Sequence, residues 1–189
     1  MWAPDYITLA DLKDVVDVDD TEDDVYLSLL PSAVSRAVDR ACLRQFGQVS
    51  TVEERTYRIA YSRSRGAWRA IIDDVQDITG LVMPNTSYSL GPDNADKLGK
   101  PWTYVDFTED PTGDVYGYLS MTALWGWSAV PDAVPLASFL QANRWSSRKD
   151  SPFGIAGSPD QGTELRLLAR VDPDVAVSLR NYRRDWWAA

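Results

Sequence analysis

Histidine is absent from the 189 residues, and cysteine occurs once, as Cys42. The first absence removes the commonest general base and the commonest zinc ligand together. The second excludes an intrachain disulfide and any thiolate metal cluster. Neither phosphate-cradling glycine pattern, G-x-G-x-x-G or G-x-x-x-x-G-K-[ST], is present, and no serine sits in G-x-S-x-G. Nucleophilic and phosphoryl-transfer chemistry thus lack their usual supports, and histidine- or thiolate-based metal sites are not expected. No apolar run approaches membrane-spanning length, and the opening Met-Trp-Ala-Pro-Asp-Tyr has neither the basic nor the apolar stretch of a secretory signal. The expectation is a protein made in the cytoplasm, without a membrane partner.

Positive charge is also scarce. Lys and Arg number 19 against 28 Asp and Glu, for a net charge of -9. Residues 1–24 hold nine carboxylates (Asp5, Asp11, Asp14, Asp17, Asp19, Asp20, Glu22, Asp23 and Asp24) against Lys13 alone. Proteins that grip nucleic acid by releasing counterions carry the opposite sign, so sequence-specific DNA binding is not expected. An acidic surface suits a protein past which DNA slides without sticking, and solubility explains it equally well.

What is present reads as helices around strands. Thr8 is an N-cap for a helix from Leu9 to Val16. From Glu22 to Phe46, Leu27, Leu30, Val34, Ala37, Val38, Ala41 and Cys42 recur at three- and four-residue spacing, the mark of one buried helical face. Pro31 kinks this helix or marks its true beginning, and Gly47 supplies a stop. Cys42 falls on the apolar stripe and reads as a small buried hydrophobe, with a reactive thiol as the lesser alternative.

Between Ser50 and Trp127 the period shifts towards two. Strands are expected at Glu53–Ile59, Ala67–Ile72, Ile78–Met83, Tyr88–Leu90, Trp102–Phe107 and Tyr116–Trp127, separated by glycine- and proline-rich turns. A helix follows Pro131, with Arg144, Arg148 and Lys149 at its end. Ser151–Gly162 reads as a flexible loop. A last helix is capped by Asp172 with Pro173 at its first position, and Val175, Leu179, Tyr182 and Trp186 form its stripe. The fold class expected is α+β, a small helical bundle core with an inserted antiparallel β-subdomain. Residues 1–49 and 128–189 supply the core, the latter with the loop at 151–162, and 50–127 the insertion.

Several constellations have two readings. Trp125-Gly126-Trp127 is either a packed core strand or an aromatic platform for a ligand or neighbouring subunit, and Gly126 marks a bulge or a close backbone approach. Arg36, Arg40 and Arg44 stand at four-residue steps on one helical stripe, where like charges repel. Either Asp39 and solvent face them, or the acidic segment with Asp19, Asp20 and Asp23 does, in the same subunit or the next. Asp17, Asp19, Thr21 and Asp23 have the spacing of a calcium loop, but Glu22 and Ser28 occupy the positions of its glycine and bidentate glutamate. Asp73, Asp74 and Asp77 could form a carboxylate cluster, though a turn after Ile72 explains them more simply. In Arg183-Arg184-Asp185-Trp186-Trp187, the tryptophans close a helix onto the core, or with the arginines they anchor an interface.

Five stretches, in order, carry a resemblance: Tyr6-Ile7-Thr8-Leu9-Ala10-Asp11-Leu12-Lys13, Val38-Asp39-Arg40-Ala41-Cys42-Leu43-Arg44-Gln45-Phe46-Gly47, Trp125-Gly126-Trp127-Ser128-Ala129-Val130-Pro131, Arg148-Lys149-Asp150-Ser151-Pro152-Phe153-Gly154 and Val171-Asp172-Pro173-Asp174-Val175. Together they resemble the head-to-tail adaptor (connector, head-completion) proteins of long-tailed bacteriophages over nearly the whole chain. The resemblance implies a structural virion protein of the head-tail neck. It would form a ring, typically twelvefold, beneath the portal protein, extend the DNA channel and dock the next neck or tail component, a stopper or tail terminator. It implies no enzymatic activity and no cofactor. Under it, Arg36, Arg40, Arg44, Asp19, Asp20 and Asp23 become subunit-interface candidates, and Phe153, Arg183, Arg184, Trp186 and Trp187 portal- or neck-interface candidates. The alternative is a protein- or carbohydrate-binding module using Trp68, Trp102, Trp125 and Trp127. An enzyme built on Asp73 and Asp77 is a third possibility.

Overall fold

A computed structural model describes residues 4–84, 87–112, 117–149, 155–156, 165–166 and 173–184. The chain is α+β and separates into two compact units. Residues 46–129 form a sheet unit, and the described residues before and after them, to 45 and from 130 to 184, form a helical unit.

In the helical unit, α1 (Leu9–Val16) begins at a complete capping box. The Thr8 side chain accepts from the Asp11 backbone N–H, and the Asp11 carboxylate accepts from the Thr8 backbone N–H. The helix ends at Asp17, whose left-handed conformation (φ 56°) a short polar side chain tolerates. The long helix expected from Glu22 is two elements, α2 (Asp24–Leu27) and α3 (Leu30–Cys42), because Pro31 sits in the first turn of the second, where no amide donor is required. Nor does α3 run to Gly47. Leu43 adopts the left-handed conformation (φ 55°) and stops it, and Arg184 donates its backbone N–H to the Cys42 carbonyl, one of those a helix end leaves without a partner inside the helix, at 2.8 Å.

Ile7, Leu12, Leu27, Leu30, Val34 and Ala142 form the buried core here, with Phe139 and Trp145 of α4 (Ala133–Lys149) packed against it. Each fully buried aliphatic contributes about 1.5–3 kcal/mol. The Tyr26 hydroxyl donates to the Trp145 carbonyl at 3.0 Å and ties α2 to α4. The last helix, α5 (Pro173–Leu179), passes into a 3-10 turn at Arg180–Tyr182, so it is shorter than the stripe to Trp186 implied.

The sheet unit has six strands: β1 (Glu53–Ser62), β2 (Ala67–Val75), β3 (Asp77–Val82), β4 (Tyr88–Gly91), β5 (Trp102–Phe107) and β6 (Tyr118–Leu124). Their spatial order is β3-β6-β1-β2-β5-β4, and every neighbouring pair is antiparallel. Period-two alternation sends Ile59, Ala70, Val105, Phe107, Leu119, Met121 and Ala123 to one buried cluster with Ile72, Val75 and Trp125. The β2–β5 register slips between Ile71 and Val75, which places Asp73 and Asp74 inside β2 rather than in a turn beyond it. That expectation fails because the residues that hold these carboxylates lie far away in the sequence.

Two further residue pairs, Ile155–Ala156 and Leu165–Arg166, are bridged as a short antiparallel ladder (β7 and β8), the first inside the 151–162 stretch read as a loop and the second after it.

Candidate functional site

Where the chain enters and leaves the sheet unit, two backbone segments cross. Val49 N–H donates to the Trp125 carbonyl at 2.9 Å and Trp127 N–H to the Gly47 carbonyl at 2.7 Å. Gly126 N–H donates to the Asp74 carbonyl at 2.6 Å, and the Gly126 carbonyl accepts from Gln76 N–H at 3.2 Å. Gly126 lies at φ 110°, and a β-carbon there would stand 2.0 Å from the Gly47 carbonyl oxygen. Of the two roles expected for this glycine, a close backbone approach is the one observed.

The flanking indoles are 1% and 2% exposed at Trp125 and Trp127. Trp125 Nε1 donates to the Glu53 carbonyl at 2.7 Å and Trp127 Nε1 to Asp74 Oδ2 at 2.9 Å. Phe46 and Tyr57 tilt against Trp127 and Trp125, each with ring centroids 5.3 Å apart. Buried faces and satisfied N–H groups make these two residues core, which corrects the platform alternative for them. Trp68 is half-buried against Tyr61, and Trp102 is also half-buried in β5.

The acidic residues after Ile72 do not converge. Asp73 Oδ2 accepts from Arg55 at 2.8 Å and from the Tyr57 hydroxyl at 2.9 Å, and Arg55 reaches Glu53 at 3.0 Å while lying over the Trp125 ring. Burial, with the Asp73 charge beside it, pushes the Tyr57 phenol far above its ordinary range and keeps it protonated. Asp74 is buried under Trp127. Asp77 bonds the Thr79 N–H at 2.8 Å, and the Thr79 hydrogen bonds lower its pKa. Each carboxylate has a separate structural partner. Among the described residues, no group of three or more His, Cys, Asp or Glu is placed to hold a metal ion, the run Asp17, Asp19 and Asp23 included. No helix among them is long and apolar enough to cross a membrane.

No protein-family model matches this chain, and no curated protein matches it either.

The interface candidates on the helical unit divide by charge. Arg36 donates to Asp39 at 2.8 Å and to the Pro4 carbonyl at 2.7 Å, and its guanidinium lies 5.9 Å from the Tyr6 ring centroid. Tyr6 OH also bonds Asp39. Burial nevertheless raises the Asp39 pKa, outweighing those hydrogen bonds and the Arg36 charge. Arg40 is exposed and reaches back to the Arg36 carbonyl at 3.1 Å. Arg44 and Arg183 both bear electrostatically on the Cys42 thiol, which burial pushes up to about 11. Cys42 is thus an unreactive buried thiol.

Asp19 and Asp20 are exposed and Asp23 half-buried. The one cation of residues 1–24, Lys13, binds the Asp20 carbonyl at 2.5 Å and the Asp24 carboxylate at 2.7 Å. Arg183 is exposed, whereas Arg184 is buried (5% exposed) beside Cys42, which removes it from the surface candidates. Phe153, Trp186 and Trp187 lie outside the described residues.

Sequence reasoning passed over the exposed aliphatics Val25, Leu29 and Leu43. Val25 and Leu29 were legible as apolar residues four apart in an acidic run. Leu43 was not, because its exposure follows from the unforeseen left-handed cap.

Proposed function

We propose that this chain is a head-to-tail adaptor: a structural virion protein that forms a ring beneath the portal, extends the DNA channel and docks the next neck or tail component. The helical unit serves as a small bundle core that bears the ring contacts, and the sheet unit is its insertion. DNA passes the acidic lumen without sequence-specific binding, since like charge gives no counterion-driven grip.

The observation that supports this reading is where four of the five resembling stretches fall; most of the other, residues 148–154, lies outside the described residues. Thr8–Asp11 is the capping box of α1, Leu43 is the left-handed end of α3, Trp125–Trp127 is the crossing that closes the sheet unit before α4, and Pro173 opens α5. Each is a joint of the fold. The backbone geometry at such joints admits few residue types, so a likeness there is a likeness of fold-determining positions. The binding-module reading has lost its central indoles to the core and is not pursued.

The test is to mix the purified chain with purified portal and image the product by electron microscopy. Stoichiometric addition of a ring to the portal is expected, as is the chain's presence in the neck of mature particles. A chain that ignores the portal and is missing from particles overturns the proposal.

A further inference from the structure

Among the exposed aliphatics of the helical unit, two spots have rims of opposite charge. At one, Val25 and Leu29 are 84% and 65% exposed. Four residues apart in near-continuous helical turns, they face the same side. Around them in sequence stand Asp19, Asp20, Glu22, Asp23 and Asp24, with Lys13 already engaged by two of these residues. At the other, Leu43 is 42% exposed on the left-handed cap of α3. Arg40 lies one turn before it and Arg44 directly after it, and the Arg183–Arg184 segment is fastened to Cys42 beside it.

The 13 residues of α3 separate the two spots. At 1.5 Å per residue that is about 20 Å, so the two cannot meet within one copy. Each offers what the other lacks: aliphatic side chains with an acidic rim, and an aliphatic side chain with a basic rim.

We propose that the Val25–Leu29 spot of one copy seats on the Leu43 spot of the next, with Asp19, Asp20 and Glu22 facing the exposed Arg40 and Arg183. The occupant is a second copy because the complementary charge pattern is found on the same chain. Two unlike patches joined head to tail propagate around a closed rotation, the contact that a ring requires. This inference rests on the adaptor reading and assigns its subunit contact. It moves the acidic segment's partner from Arg36, which is engaged by Asp39 within the copy, towards the end of α3. With only three aliphatics in the contact, opposite charges steer the encounter and screening weakens it, so isolated copies associate weakly and salt-sensitively. Closure of the ring reinforces each contact.

Disulfide trapping tests the contact. Full chains carrying Cys42→Ala and Leu29→Cys are mixed at low salt, under oxidising conditions, with chains carrying Cys42→Ala and Leu43→Cys. The expected product is the 29–43 heterodimer, at about tenfold the yield of either homodimer. Arg40→Glu with Arg183→Glu on the Leu43→Cys chain should lower that yield about tenfold. Asp19→Lys with Asp20→Lys on the other chain should restore it, an effect that misfolding cannot imitate.

Rings that form on the portal without a 29–43 cross-link overturn this contact and leave the adaptor reading standing. A charge-dependent 29–43 cross-link in a chain that never adds to portal keeps the contact and overturns the adaptor reading. Neither cross-link nor ring overturns both.

Discussion

The buried indole of Trp127 donates its N–H to the buried carboxylate of Asp74 across 53 residues of sequence, at 2.9 Å. In a site so little reached by water, leaving either partner without the other is costly. Trp127→Phe removes both the donor and part of the ring that packs on Phe46, and should cost roughly 2–4 kcal/mol in urea unfolding. Asp74→Asn keeps a carbonyl acceptor and should cost about 1 kcal/mol. Equal losses for the two would contradict the geometry.

Gly126 and Gly66 both have positive φ, but only Gly126 has a backbone against it. Gly126→Ala would drive a methyl group into the Gly47 carbonyl and force the crossing apart, at a cost of roughly 3–5 kcal/mol by thermal or urea denaturation. Gly66→Ala, in the β1–β2 turn with open space around it, should cost only about 1 kcal/mol.

Alkaline pH should destabilise the fold through Cys42 and Tyr57. The folded Cys42 thiol holds its proton to about 11 against an ordinary 9.0, and Tyr57 shifts in the same direction. The unfolded chain therefore loses protons first. The associated stability is complete below pH 9 and falls as pH rises through the folded values. Urea titrations at pH 8, 9, 10 and 10.5 should show this decline, shallower in Cys42→Ala. A flat profile in both proteins contradicts the burial of these groups.

Arg69 makes a two-bond fork to Asp106, both contacts at 2.6 Å, and its guanidinium lies 3.6 Å from the centroid of the Tyr104 ring. Lysine keeps the charge but has neither the fork nor the flat face for stacking. Arg69→Lys should therefore cost about 1–2 kcal/mol, measurable by urea unfolding with unchanged circular dichroism. A neutral result would mean that charge alone matters at this position.

Local signals were enough for the elements they govern. The N-cap Thr8 located α1 to the residue, and β5 runs from Trp102 to Phe107 as the alternation predicts. Pro31 announced the start of α3 for the reason expected of a ring without an amide hydrogen. What escaped was decided by partners remote in sequence. Asp73 and Asp74 read as turn residues until Arg55, Tyr57 and Trp127 are placed beside them. Gly47 reads as a helix stop, yet the helix ends at Leu43 and Gly47 serves the crossing with Trp127 instead. Among the interface candidates, Arg40, Asp19 and Asp20 are on the surface, whereas Arg184 is enclosed by a contact that no periodicity encodes.

The crossing at Gly126 has a consequence for how this chain can be re-engineered and how it could have arisen. Because residues 47 and 127 are hydrogen-bonded to one another, the sheet unit begins and ends at the same spot. A polypeptide with that property is a cassette: it can be excised, transplanted into another host loop, or given new termini at a hairpin such as Arg65–Gly66, without asking any strand to change its neighbour.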